Sequence, residues 1–233
     1  MKRLSAMTAV TTLFFCSVQA WPQAANLPAA YAAAEASAVQ AGKNLGLFQA
    51  VRRGDPAAVE KALDSGAQVD AWDGSFFPTP DGTPIEYNEY FCGPRSGQIE
   101  DILIKHGANL TRQDGYGQNV LTLASAVGCA PAVSVLVSNP VIKVHINDLA
   151  KAGTALDYAT APLERDKLAR SPDATSLERL EYLSPESKAA QEKTAAILKA
   201  SGAKSKSEFS PEDYAEAEAH FQKDYCPDTR SSR

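Results

Sequence analysis

The stretch Leu45-Gly46-Leu47-Phe48-Gln49-Ala50-Val51-Arg52-Arg53-Gly54, which runs into Asp55 to Leu63 and stops at Ser65-Gly66-Ala67, decides the fold. It recurs along the chain. Asn119-Val120-Leu121-Thr122-Leu123-Ala124-Ser125-Ala126-Val127-Gly128 runs into Cys129 to Val137 and stops at Ser138-Asn139-Pro140. In both segments the internal glycine precedes the stop by the same interval, 54 to 66 and 128 to 140. Apolar residues sit at helical spacing on either side of that glycine, as in Leu47, Ala50 and Val51 and then Val59, Ala62 and Leu63. Each unit reads as a pair of short antiparallel helices, so the fold class is all-α. The internal glycine relieves the turn between the helices, and Gly66-Ala67, Gly107-Ala108 and Gly202-Ala203 have the form of helix C-caps that need a positive φ.

Two further units follow the same punctuation. Thr83-Pro84-Ile85 opens one that closes at Lys105-His106-Gly107-Ala108-Asn109, and Gly153-Thr154-Ala155-Leu156-Asp157-Tyr158-Ala159 opens another that closes at Ser201-Gly202-Ala203. With these openings and Gly-Ala closings the sequence resembles the ankyrin repeat family over roughly residues 45–204. The resemblance implies a helical solenoid of about four repeats with short β-hairpin fingers, in units of about 45–73, 83–114, 119–148 and 154–204.

The chain departs from the family pattern in two places. Gly66 to Gly107 spans 41 residues and Pro140 to Gly202 spans 62, against a family period of about 33. The first excess falls in the finger at 74–81 and in the turn Gly93-Pro94-Arg95-Ser96. The second is an insertion at 163–188, where Leu168, Leu177, Leu180 and Leu183 suggest an amphipathic helix between loops. Asn88 and Glu89 stand where small alanines are expected, which makes the first helix of the second unit the least regular element.

The ends are read separately. Lys2-Arg3, the mostly apolar run from Leu4 to Val18 and the small-residue site Val18-Gln19-Ala20 have the pattern of a signal peptide at 1–20. The run is short for a membrane span, which needs roughly 20 apolar residues. A lipid anchor at Cys16 is disfavoured by Phe14 and Phe15. Residues 21–44 carry an alanine-rich helix from Ala29 to Gly42, and 205–233 carry a helix that starts at Ser210-Pro211-Glu212-Asp213 and ends near Lys223. Both helices suit the role of caps on a stack.

Cleavage near Ala20 would remove Lys2 and Arg3 and take the net charge from −5 to −7. Such an acidic surface disfavours nucleic acid and anionic lipid as partners, and no later segment is long and apolar enough to insert in a membrane. Cleavage would also leave Cys92, Cys129 and Cys226, too few and too far apart for a zinc module. Export to an oxidising periplasm favours a disulfide. Stacking of the second and third units would bring Cys92 and Cys129 together, the alternative being two buried thiols, with Cys226 free or paired elsewhere.

Nothing in the sequence has the form of a catalytic or cofactor site: no phosphate loop, nucleophile elbow, His-Glu-x-x-His or Cys-x-x-Cys is present. No cofactor, metal site or enzymatic activity is expected. His106 sits at a helix end where a cation favours the dipole, while His145 and His220 have no sequence partner. Glu164/Asp166 and Glu212/Asp213 read as solvated helix faces.

The functional signal is aromatic. Trp72, Phe76 and Phe77 fall in the first finger and Tyr116 in the next, and Tyr87 and Tyr90 on the second unit could extend the same protein-binding surface. Phe76 and Phe77 could instead fold back over the irregular second unit. A repeat scaffold without reactive residues implies a non-enzymatic protein-binding module. The specific expectation is an immunity protein that neutralises an antibacterial effector, a cognate secreted toxin of the type VI secretion kind. The alternatives are a periplasmic factor supporting oxidative-stress defence and a secreted host-directed effector.

Overall fold

The computed structural model describes residues 27–73, 82–114, 117–171, 175 and 182–225. The chain divides into two compact units, Met1–Val39 and Gln40–Arg233. Of the first, the described part is helical, and its residues 32–39 are exposed.

Among the described residues ten α-helices follow one another: α1 Leu27–Arg52, α2 Pro56–Asp64, α3 Pro84–Tyr90, α4 Ser96–Lys105, α5 Val120–Val127, α6 Ala130–Leu136, α7 Pro140–Val144, α8 Ala155–Ala169, α9 Pro185–Ala200 and α10 Pro211–Tyr225. The described residues are all-α, with no strand among them. Two isolated antiparallel bridges, Asp73 with Gly82 and Ala150 with Gly153, are the extended pairings they contain.

Local chemistry sets the helix ends. Asp55, Asn119, Thr154 and Ser184 each accept a backbone N–H of the first turn through a side-chain oxygen, satisfying donors that a helix start leaves open. Pro56 and Pro185 follow their caps, where a missing N–H costs nothing. Thr83 and Thr154 head capping boxes, the Thr83 N–H donating to Glu86 Oε2 at 2.7 Å and the Thr154 N–H to Asp157 Oδ2 at 2.9 Å.

The stops repeat one geometry. At Gly66, Gly107 and Gly202, φ is +88°, +87° and +89°. The glycine and the alanine after it donate back into the last turn: Gly66 to Leu63 and Ala67 to Ala62, Gly107 to Ile104 and Ala108 to Leu103, Gly202 to Lys199 and Ala203 to Leu198. These are Schellman closures, and a side chain at the left-handed position would strain each one. The third unit differs: Pro140 opens the short helix α7, so the chain does not leave α6 through a glycine closure.

Within Gln40–Arg233, α3, α5 and α8 lie side by side in one layer, and α2, α4, α6 and α9 in a second. Between the layers lies a core of Leu47, Val51, Val59, Ile85, Ile99, Leu103, Leu121, Leu136, Leu156 and Leu198, all nearly inaccessible to solvent. Gly97 permits a close approach of α4 to α6, since a Cβ there would meet the Pro131 carbonyl oxygen at 2.7 Å. A repeated polar tie runs along the edge. The N–H two residues beyond each closing glycine is held by a side chain of the preceding segment: Gln68 by Asn44, Asn109 by Asp70 and Lys204 by Asn147, at 2.9, 3.0 and 2.8 Å.

Three sequence expectations are modified. The alanine-rich segment and the first helix of the first unit form one continuous helix, α1, instead of two. In the long insertion, α8 continues through Pro162 to Ala169, so Leu163 and Leu168 belong to the unit's own first helix, while Leu177 and Leu180 lie outside the described residues. Asn88 and Glu89 do not disrupt α3: both are buried within it.

Candidate functional site

Trp72 stands just after the first helix pair, ahead of the Asp73–Gly82 bridge. Its ring is 53% exposed, and the Arg112 guanidinium lies over it at 4.1 Å. The chain around Asn109 explains how Arg112 reaches that position. Asn109 Oδ1 accepts the N–H groups of Thr111 and Arg112 and shapes the turn, while the Asn109 N–H donates to Asp70 two residues before Trp72. Two loops far apart in sequence are thereby tied, and the stacked Trp–Arg pair is presented to solvent. Water solvates both groups there, so the cation–π contact contributes only about 0.5–1 kcal/mol to the fold.

Tyr90, the last residue of α3, is 40% exposed. Partial burial, with the nearby Asp114 and Glu86 carboxylates, raises its hydroxyl above the ordinary phenol range, so it stays a neutral donor. Beside it runs a groove of about 580 Å³ lined by Tyr90, Cys92, Val127, Pro162, Arg165 and Gln191 among others.

Tyr87 corrects the expectation that it extends this surface. It is 2% exposed, its ring meets Phe48 edge-on at 4.8 Å and Phe91 at 5.9 Å, and its hydroxyl donates to Asp73 Oδ2 at 2.7 Å. The residue that follows it by four on the helical path, Phe91, shares its inward face, whereas Tyr90 points elsewhere. Phe76, Phe77 and Tyr116 lie outside the described residues, as do Cys226 and the side chain of His220.

Cys92 and Cys129 stand at disulfide distance, with Cα atoms 5.6 Å apart. Cys92 follows α3, and Cys129 is the residue before α6. The link therefore ties the end of one first-layer helix to the start of a second-layer helix in the next pair.

Several charged groups differ from their sequence reading. Asp166 is no solvated face residue: its side chain is fully inaccessible and takes Arg170 Nε at 2.7 Å, Lys188 Nζ at 3.4 Å and the Leu183 N–H at 3.0 Å. The Arg170 contact above all, with the Leu183 N–H and Lys188, lowers its pKa to about 2. Asp166 thus closes the connection from α8 to α9 across its two ends. Asp166→Ala should release that connection, read as faster cleavage between Arg170 and Lys188 in limited proteolysis while the helical circular-dichroism signal persists. Unchanged cleavage would show that the clamp does not restrain it. His145 Nδ1 lies 2.7 Å from Asp148, and His106 Nε2 lies 3.3 Å from Glu60.

The structure also reveals a centre that sequence reading missed. Glu89 of α3 and Glu100 of α4 are both fully buried. Asn88 Nδ2 donates to Glu100 Oε2 at 2.8 Å and to the Ser96 carbonyl at 3.0 Å. Among the described residues both Glu89 oxygens and Glu100 Oε1 have no donor. Burial first, then the facing Glu100 carboxyl, raises the Glu89 pKa well above the usual carboxylate range; burial pushes Glu100 up to about 7.

Compared with known families, the chain matches no family model, and no curated protein resembles it significantly. Among the described residues no helix is long and apolar enough to cross a membrane.

Proposed function

We propose that the chain is a non-enzymatic protein-binding module of the periplasm, an ankyrin-type solenoid that binds and neutralises an antibacterial effector as its immunity protein. Support for the scaffold comes from the two helix layers, the repeated glycine closures and the recurring polar tie at Gln68, Asn109 and Lys204. The observation that carries the binding reading is Trp72: a large ring left half in water on a loop that a neighbouring loop holds in place, with a guanidinium stacked on it. Trp and Arg are enriched among the residues that dominate interface energies, Trp because it covers much area with little loss of side-chain freedom. Closure of a partner over the pair would desolvate both and strengthen their contact. The disulfide pair agrees with an oxidising compartment.

The test is co-expression with each effector encoded beside the gene and directed to the periplasm. The wild-type chain should restore growth and co-purify with one of them. Trp72→Ala should weaken that complex by about 30-fold, the loss expected for a central aromatic anchor worth about 2 kcal/mol, with Tyr90→Ala as the second variant. Growth unaffected by every neighbouring effector, or a complex indifferent to both substitutions, would sink this reading.

A further inference from the structure

Three potential ligands from two helices meet on the second layer. Glu60 and Asp64 stand four residues apart on α2 and so share one face of that helix. His106 is the C-cap of α4, the helix that packs beside α2. His106 Nε2 and Glu60 Oε1 are 3.3 Å apart, and one donor atom from each of the three residues lies within 4.8 Å of the others. We propose that Glu60, Asp64 and His106 form a surface site for a divalent transition-metal ion of the zinc class, which would bridge the C-terminal ends of α2 and α4.

The distances suit the chemistry. Ligands about 2.0–2.2 Å from one ion lie at most about 4.4 Å apart, and about 3.3 Å apart at a tetrahedral angle. The His106–Glu60 separation already has that value, and the Asp64 oxygen, within 4.8 Å of both, reaches it by a side-chain shift of at most about 1.5 Å. One imidazole and two carboxylates suit zinc better than calcium or magnesium, which take oxygen donors.

The surroundings favour a cation as well. α2 ends at Asp64 and α4 at Lys105, so the negative ends of both helix dipoles converge here. Lys105 is a neighbouring cation. Its first attraction is to Asp101, at 2.5 Å, and only a lesser one to Glu60, which leaves the Glu60 carboxylate to face His106. Coordination sites left open by three protein ligands would be filled by water or by a donor from a bound partner. This site stands independently of the effector-binding reading.

The experiment is a titration of untagged, chelator-treated full chain with zinc chloride, followed by isothermal calorimetry and by the thermal midpoint. The expected result is one saturable site and a midpoint that rises with zinc. His106→Ala and Glu60→Gln should each weaken zinc binding about tenfold or more. All three side chains are at the surface, so these variants should keep the wild-type circular-dichroism spectrum. Absence of saturable binding, or binding unchanged in His106→Ala, would overturn the proposal. So would an ion pair only, in which His106→Ala lowers the metal-free midpoint while zinc has no effect on either protein.

Discussion

Reducing the Cys92–Cys129 bond is expected to lower the thermal midpoint by about 10 °C. The bond closes a loop of 37 residues, and in the chain-entropy treatment such a loop removes enough freedom from the unfolded chain to stabilise the fold by about 4 kcal/mol. For a domain of this size each kcal/mol shifts the midpoint by about 2–4 °C. A second effect acts in the same direction. The closed segment holds α3's exit, the whole of α4 and α5, and the entry to α6, so the bond fixes the register of two successive helix pairs. The double variant Cys92→Ala/Cys129→Ala should match the reduced wild type, because neither keeps the cross-link. The measurement is a thermal melt of the periplasm-expressed protein with and without reductant. A midpoint that moves by less than about 2 °C, or free thiols at both positions in the oxidised protein, would refute the claim.

This bond was legible from the sequence because both cysteines fall at matching points of neighbouring units, just as the closing glycines do. The closures carried by a few adjacent residues were read correctly. A capping oxygen reaches only three residues ahead, and a Schellman closure involves six, so Asn119, Thr154 and Gly66-Ala67 announce themselves. The failures share a different cause. Tyr87 and Tyr90 look equivalent in sequence, but the rotation between them sends one against Phe48 and leaves the other in water. Asp166 looked solvated because two of its three partners, Leu183 and Lys188, lie across a long connection. The potential metal ligands are separated by 46 residues from Glu60 to His106, and neither shows a spacing that belongs to a motif. Side-chain environment made by packing between units is therefore what the sequence did not disclose.

The buried acid pair leads to the second large effect: the protein should lose stability as pH rises from about 5 to 8. In the unfolded chain Glu89 and Glu100 titrate near 4.3. In the folded chain both are raised, Glu100 to about 7 and Glu89 well above its usual range. Folding thus strengthens proton binding, so the stabilisation is fully present below the unfolded value and is lost as pH passes through the folded one. The shift of Glu100 alone corresponds to on the order of 3 kcal/mol across that window. The cause is geometric. Two carboxyls face each other between α3 and α4; the neutral Asn88 amide donates to one of their four oxygens, and among the described residues the other three have no donor. A proton held between them relieves the repulsion, and its removal leaves two charges in a medium that solvates neither. Asp166 and Asp213, both lowered to about 2, act in the opposite sense as pH falls from about 3.8 toward 2, and Glu186 and Glu208, whose values are also lowered, do so below about 4.5. The two effects are separated in pH and can be measured apart. Urea midpoints at pH 5.5 and 8 should differ in the wild type, and Glu89→Gln, which keeps the shape but carries no ionisable proton, should raise the midpoint at pH 8 and flatten the profile. A wild-type profile that is flat or rises between these pH values would mean that the pair is solvated in the folded protein and that the core between α3 and α4 is wet.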